Sequence, residues 1–202
     1  MTTLTQPPAH AKAKLSIASD AILLIADLQA GIADLALTLP EPQLKRNVAA
    51  LLKLASIFEI PLIVTVVPGA DGTPSPLMAE VEAGRRGAPL FIRTTPNSMN
   101  DAEIRAALES SGRRTLLVSG AATEVAVQLP SLTAAAEGFD VHVIVDACGG
   151  VSPRTEDAAL RRLSQAGVKT TSLPTLIGEL AGDFTLPKGQ QAIGVLFELT
   201  GG

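Results

Sequence analysis

Short apolar runs rich in Val, Ile and Leu recur along the chain, and the stretches between them place apolar residues three or four positions apart. Runs of this kind read as strands buried on both faces, and the spacing between them reads as amphipathic helices. Strands are predicted at residues 21–28, 61–67, 89–94, 115–120, 141–147 and 169–173. Between the first two, Leu44, Val48, Leu51, Leu52 and Ala55 fall on one helical face. Asn100 followed by Glu103 resembles a capping box that opens a helix running to about Ser111, and Ser152 before Pro153 supplies a cap and a first-turn proline ahead of Leu160 and Leu163. Strand and helix alternate throughout, which is the pattern of repeated βα units and places the chain in the α/β class, with a doubly wound, Rossmann-like parallel sheet.

Residues 68–88 break the rhythm with Gly69, Asp71, Gly72, Pro74 and Pro76, so they are expected to form a loop with at most a short helix from Pro76. Residues 183–202 carry a further apolar run at 192–199 and read as a C-terminal arm, packing on this subunit or on a neighbour, after a domain spanning 1–182. No repeat or low-complexity tract interrupts the single domain that 202 residues lead one to expect.

Composition narrows the function classes. The apolar share is 47% with no Trp or Tyr, so the core is built from aliphatic residues, and their excess offers surface for a homo-oligomer. No apolar run reaches the length of a membrane span, and a net charge of -4 without a clustered basic face leaves no footprint for nucleic acid. A single cysteine, Cys148, excludes an internal disulfide framework, and residues 1–20 lack the charged-then-apolar build of a signal peptide, so a cytoplasmic address is expected. The two histidines, His10 and His142, lie far apart and no CxxC or HxxxH pattern is present, so no metal and no other cofactor is expected.

Ligands of open α/β sheets bind beyond the carboxyl ends of the strands. Asp27 and Arg93 stand at or beside two such ends, and residues 120–123 lead from the fourth strand into a helix. An acid, a fixed cation and a helix start would there handle protons and stabilise an oxyanion on one small ligand. A strand-end aspartate also serves as a turn or helix cap, and Arg93 also reads as its structural ion-pair partner, so spacing alone leaves both open. Cys148 closes the fifth strand and reads either as a displaced thiol nucleophile or as an inert core residue, and His142, inside the same strand, reads as a satisfied or partly exposed histidine.

The stretch at 116–130, Leu-Leu-Val-Ser-Gly-Ala-Ala-Thr-Glu-Val-Ala-Val-Gln-Leu-Pro, closely resembles the isochorismatase-like cysteine hydrolases, and among them the YcaC-like branch. The likeness continues through Glu-Gly-Phe-Asp-Val-His-Val-Ile-Val-Asp-Ala at 137–147 and Leu-Ser-Gln-Ala-Gly at 163–167, and reaches back to Asn97, Ser98, Met99, Arg93 and the Ala-Asp-Leu-Gln-Ala-Gly run at 26–31. It implies a three-layer fold around a six-stranded parallel sheet, and an aspartate, a basic residue and a cysteine that together act on small amides or related C–N bonds. Asp27 falls on the aspartate, Arg93 on the basic residue and Ala126 on the nucleophilic cysteine. Gln29, Asn97, Met99, Ala121, Ala122, Thr123 and Val125 fall on the ligand side, and a non-proline cis peptide maps onto Ala121–Ala122. The resemblance further implies a homo-oligomer, a tetramer or octamer.

A methyl group cannot attack a carbonyl, so the acyl-thioester route is closed at Ala126. Three readings are compatible with that: a deliberate cysteine replacement, a natural member that lost the reaction, or one using cysteine-free chemistry such as vinyl ether cleavage. A silent binding or assembly protein is the alternative to an enzyme. Pro130, four residues on, has no N–H for the Ala126 carbonyl, which predicts a kink in the helix there.

Overall fold

A computed structural model describes residues 18–201. The reading of a missing leader at the N-terminus and His10 fall largely or wholly outside these residues. Six strands form one sheet: β1 (Ala21–Ala26), β2 (Leu62–Val66), β3 (Leu90–Ile92), β4 (Thr115–Ala121), β5 (Asp140–Gly149) and β6 (Lys169–Thr171). Their order is β3-β2-β1-β4-β5-β6 and every pairing is parallel. The expected doubly wound sheet is therefore present, with β1 at its centre.

Among the described residues, seven helices complete the layers: α1 (Glu41–Ile57), α2 (Ala79–Gly84), α3 (Ala102–Ser110), α4 (Gln128–Ala136), α5 (Pro153–Gln165), α6 (Leu173–Ala181) and α7 (Pro187–Thr200). Side chains of β1 alternate between the two faces, as a period of two requires. Ala21, Leu23 and Ile25 join Leu44, Val48 and Leu51 of α1, Leu176 and Ile177 of α6, and Ala192 and Val195 of α7. Ile22, Leu24 and Ala26 join Ile104 and Leu108 of α3, Val127, Ala134 of α4 and Leu163 of α5. Each large aliphatic side chain buried this way contributes roughly 1.5–3 kcal/mol relative to exposure.

β1, β2 and β4 are buried along their whole length, whereas the edge strands β3 and β6 contain exposed and half-buried residues. The edges are shorter than the sequence predicts. Leu173 is not in a strand: Ser172 accepts from the Thr175 N–H and caps α6, so the chain turns helical at that point.

Two helix starts also differ. Asp101, not Asn100, caps α3, accepting from the N–H groups of Glu103 and Ile104, while Asn100 closes a 3-10 turn, Ser98–Asn100, that is itself capped by Asn97. A carboxylate beside the first-turn N–H groups outcompetes the amide one position earlier. In the 68–88 loop the short helix begins at Ala79 rather than Pro76. Residues 187–200 form a full helix, and α7 lies against α1 and α6 of its own chain, where Lys53 reaches Glu198 at 2.6 Å. Among the described residues no helix is long and apolar enough to cross a membrane.

Candidate active site

Asp27 follows β1 and adopts a positive φ of 56°, a left-handed conformation that Asp tolerates better than most residues. Its N–H donates to the Thr65 carbonyl at 3.0 Å, which closes the β1–β2 ladder, and its own carbonyl accepts from the Gln29 N–H at 2.8 Å. The turn directs the carboxylate inward, where Asp27 is 1% exposed.

Three donors hold that carboxylate. Thr65 Oγ1 donates to Oδ1 at 2.8 Å and Arg93 Nε donates to the same oxygen at 3.1 Å. Arg93 Nη2 donates to Oδ2, and Arg93 Nη1 donates to the Thr95 carbonyl. The guanidinium therefore meets the carboxylate as a two-pronged fork, a geometry that gives strong charge-assisted bonds and fixed direction. Arg93 is 5% exposed, so the pair is buried, and its mutual attraction together with this hydrogen bonding offsets the cost of removing two charges from water. Arg93 stands just beyond β3, its N–H donating to Val66 at 2.9 Å.

The other wall comes from β4. Register places Ala26 opposite Gly120, so Asp27 and Ala121 leave the sheet side by side. A Cβ at Gly120 would come within 2.4 Å of the Ala26 carbonyl oxygen, so only glycine lets the two strands approach this closely. The Ala121–Ala122 peptide is cis, as the resemblance implies. After it, residues Thr123–Val127 form a wide π-helical turn in which the Gln128 N–H donates back to Thr123. The predicted kink thus takes the form of a π turn just ahead of Pro130, whose missing N–H removes the donor that an α-helical turn would use at Ala126.

Ala126 is 3% exposed and belongs to the apolar cluster that also holds Ala26, Met99 and Cys148. The turn around it is tied to the start of α5. Thr123 Oγ1 donates to Glu156 Oε1 at 2.8 Å, and the Glu124 carboxylate accepts from the Val151 N–H at 3.0 Å and from Thr155 Oγ1 at 2.5 Å.

The remaining expected ligand contacts are arranged differently. Gln29 pairs its side-chain amide with both main-chain groups of Val67, at 2.9 and 2.8 Å, and so works as an extra rung of β2. Asn97 caps Met99 and donates to Thr133 Oγ1 at 2.8 Å, linking the β3–α3 connection to α4. Met99 lies in the core, and Val125 faces outward at 43% exposure. Thr65, Glu124 and Glu156 were not among the sequence candidates. Only Thr65 left a signal, as the one polar residue inside the apolar run of β2.

Two further titratable groups are buried in β5. Cys148 is buried, and burial pushes its thiol up to about 12, far from a reactive thiolate. His142 lies at the opposite end of β5, close to Asp140 and Lys169, and burial lowers its pKa. Among the described residues no group of three or more His, Cys, Asp or Glu side chains could hold a metal ion.

A doubly wound parallel sheet with an Asp–Arg pair and a cis-peptide turn at its switch point defines a hydrolase scaffold of the isochorismatase type. The comparison with known proteins places the chain more narrowly: residues 21–175 match the isochorismatase domain, and the chain belongs to that family. It is 36% identical over 152 residues to the probable hydrolase YcaC of Escherichia coli (strain K12), covering 75% of this chain and 73% of that protein. The crystal structure of the Escherichia coli YcaC gene product, described as an octameric hydrolase of unknown specificity, superposes with a TM-score of 0.82 at 32% identity, covering 96% of this chain and 91% of the other. YcaC from Pseudomonas aeruginosa, with hexane-2,5-diol and covalent acrylamide, gives a TM-score of 0.85 at 31% identity over 92% of this chain and 93% of its own. The chain is therefore a YcaC-branch member of the isochorismatase family.

Proposed function

We propose that this chain is a member of the family without the nucleophilic cysteine, one that binds a small amide or a related C–N compound between Asp27, Arg93 and the Thr123–Val127 turn without cleaving it. The observation that carries this reading is the intact Asp27–Arg93 pair at the switch point, combined with a buried methyl group at Ala126. The pair can orient a ligand and stabilise charge on it, but neither member is a nucleophile suited to an acyl intermediate. Cys148 does not substitute, since its thiol is buried and held protonated.

Replacing Ala126 with cysteine restores the missing atom. Asp27 would accept the thiol proton, the sulfur would bond to the amide carbonyl carbon, and the C–N bond would break as the proton passes to the leaving amine. Water would then displace the sulfur and release the acid. A panel of small primary amides should therefore show no hydrolysis with the native chain and measurable hydrolysis with Ala126→Cys, lost again when Asp27→Asn is added. Turnover of any panel amide, or of a vinyl ether such as isochorismate, by the native chain would overturn the reading.

Assembly forms the second part of the proposal. Leu35, Leu37, Phe184, Leu186 and Phe197 are each more than two-fifths exposed, an apolar surface suited to a subunit interface. The Escherichia coli relative is described as octameric. We infer a homo-oligomer, a tetramer or octamer, and light scattering at micromolar concentration should show it. A monomer at that concentration would refute it.

A further inference from the structure

A second recess lies beyond the segment that follows Asp27. It is a cleft of about 550 Å3 between residues 30–40, the first turn of α1 and residues 76–79. That volume falls within the range of roughly 300–1,000 Å3 typical of small-molecule sites. Asp27, Arg93 and Ala126 do not line it.

The wall between the two sites is firmly built. The Ala30 N–H donates to Pro76 and the Met78 N–H donates to Leu28, both at 2.9 Å, and Gln29 and Leu77 form an antiparallel bridge. The cleft is thus shaped by main-chain pairing and is open before any ligand arrives. Its floor is apolar, with Ala36, Leu44 and Met78 all buried members of the core.

Its rim is charged, and unevenly so. Glu41 pairs with Lys45 at 2.5 Å, while Asp34 and Glu80 also act on the Lys45 ammonium electrostatically. Two carboxylates, Asp34 and Glu41, thus share the lining with one ammonium, Lys45, and Glu80 acts from outside it, which leaves the rim net negative over an apolar floor. A compact apolar molecule would gain by covering the floor, and a cation on it would gain at the rim. An anion of the same size would be repelled there.

We propose that this cleft is a second binding site, for a small molecule with an apolar body and one protonated amine. The body rests on Leu44 and Met78, and the ammonium meets Asp34 and Glu41. The reading is independent of Ala126 and of the chemistry at Asp27, so either can fail without the other.

Hexylammonium, with hexanoate as its anionic counterpart, tests this by saturation-transfer NMR titration of the full chain. Hexylammonium should bind about tenfold more tightly than hexanoate, a difference of ~1.4 kcal/mol, because exposed rim charges act only modestly through solvent. The preference should shrink to within about twofold in Asp34→Asn with Glu41→Gln, because those variants keep the shape and remove the charge. Ala79→Trp, at an exposed lining position, should block both ligands, and Ala126→Cys should change neither. Equal binding of the two ions, or a preference that survives removal of both carboxylates, would overturn the proposal. So would a cleft covered by a second copy of the chain, seen as binding that appears only once Phe197→Asp, outside the cleft, has dissociated the assembly.

Discussion

Asp27 is defined by what holds it: two prongs from Arg93 and one hydroxyl from Thr65. Both members of the pair stood at strand ends in the sequence, where ligands of such sheets gather, yet their spacing could not show that they meet. Thr65 was legible only as a polar intruder in an apolar strand, because its role depends on the register that sets Ala26 against it. His142 makes the same point about environment. Its imidazole is 2% exposed and lies near Asp140 and Lys169, with Glu179 also acting on it, and burial lowers its pKa from the ordinary 6.5. The unfolded chain therefore binds more protons than the folded one just below pH 6.5, and stability must fall as pH drops through that window. Urea melts at pH 7.5 and 5.5 should show this loss in the native chain and a flatter response in His142→Gln. An equal slope in both would remove His142 as its source.

Among the elements, β4 and the turn after it carry the most site geometry for the fewest residues. Pro130 announced a disturbance in the sequence, but the form it takes, a π turn closed from Gln128 to Thr123, follows from the anchoring of Thr123 and Glu124 onto α5. No local pattern encodes those partners, since they lie some thirty positions away on another element. The cap of α3 was misplaced by one residue for a related reason: Asn100 and Asp101 are both good caps, and only the backbone turn decides between them. At Gly120 the constraint is steric. A methyl there would meet the Ala26 carbonyl at 2.4 Å, and that atom belongs to the neighbouring strand rather than to a movable side chain. Gly120→Ala should cost about 1–3 kcal/mol, the range for overpacking a filled interior. A chemical-denaturation midpoint would measure it, and unchanged stability would mean that the β1–β4 seam is looser than it looks.

For the molecule as a whole, alternation of strand and helix was enough to reveal the class and the parallel sheet, because central strands such as β1 and β4 are apolar along their full length. Strand order was not contained in that alternation. It arises from crossovers that send β2 and β3 to one side of β1 and β4 to β6 to the other. The C-terminal helix shows the complementary limit: its apolar run was visible, but not the groove of α1 and α6 that receives Ala192 and Val195. The central seam also governs how the molecule forms in time. β1 pairs residue 21 with residue 115, so a loop of half the chain must close before the two strands can zip together. The entropy of such closure is lost before the contacts beyond it reward it, which slows the folding of a chain of this topology. Asp27 and Ala121 flank that seam, so the site takes shape only where β1 and β4 have paired, and a ligand held there selects chains in which residues about a hundred positions apart have already met.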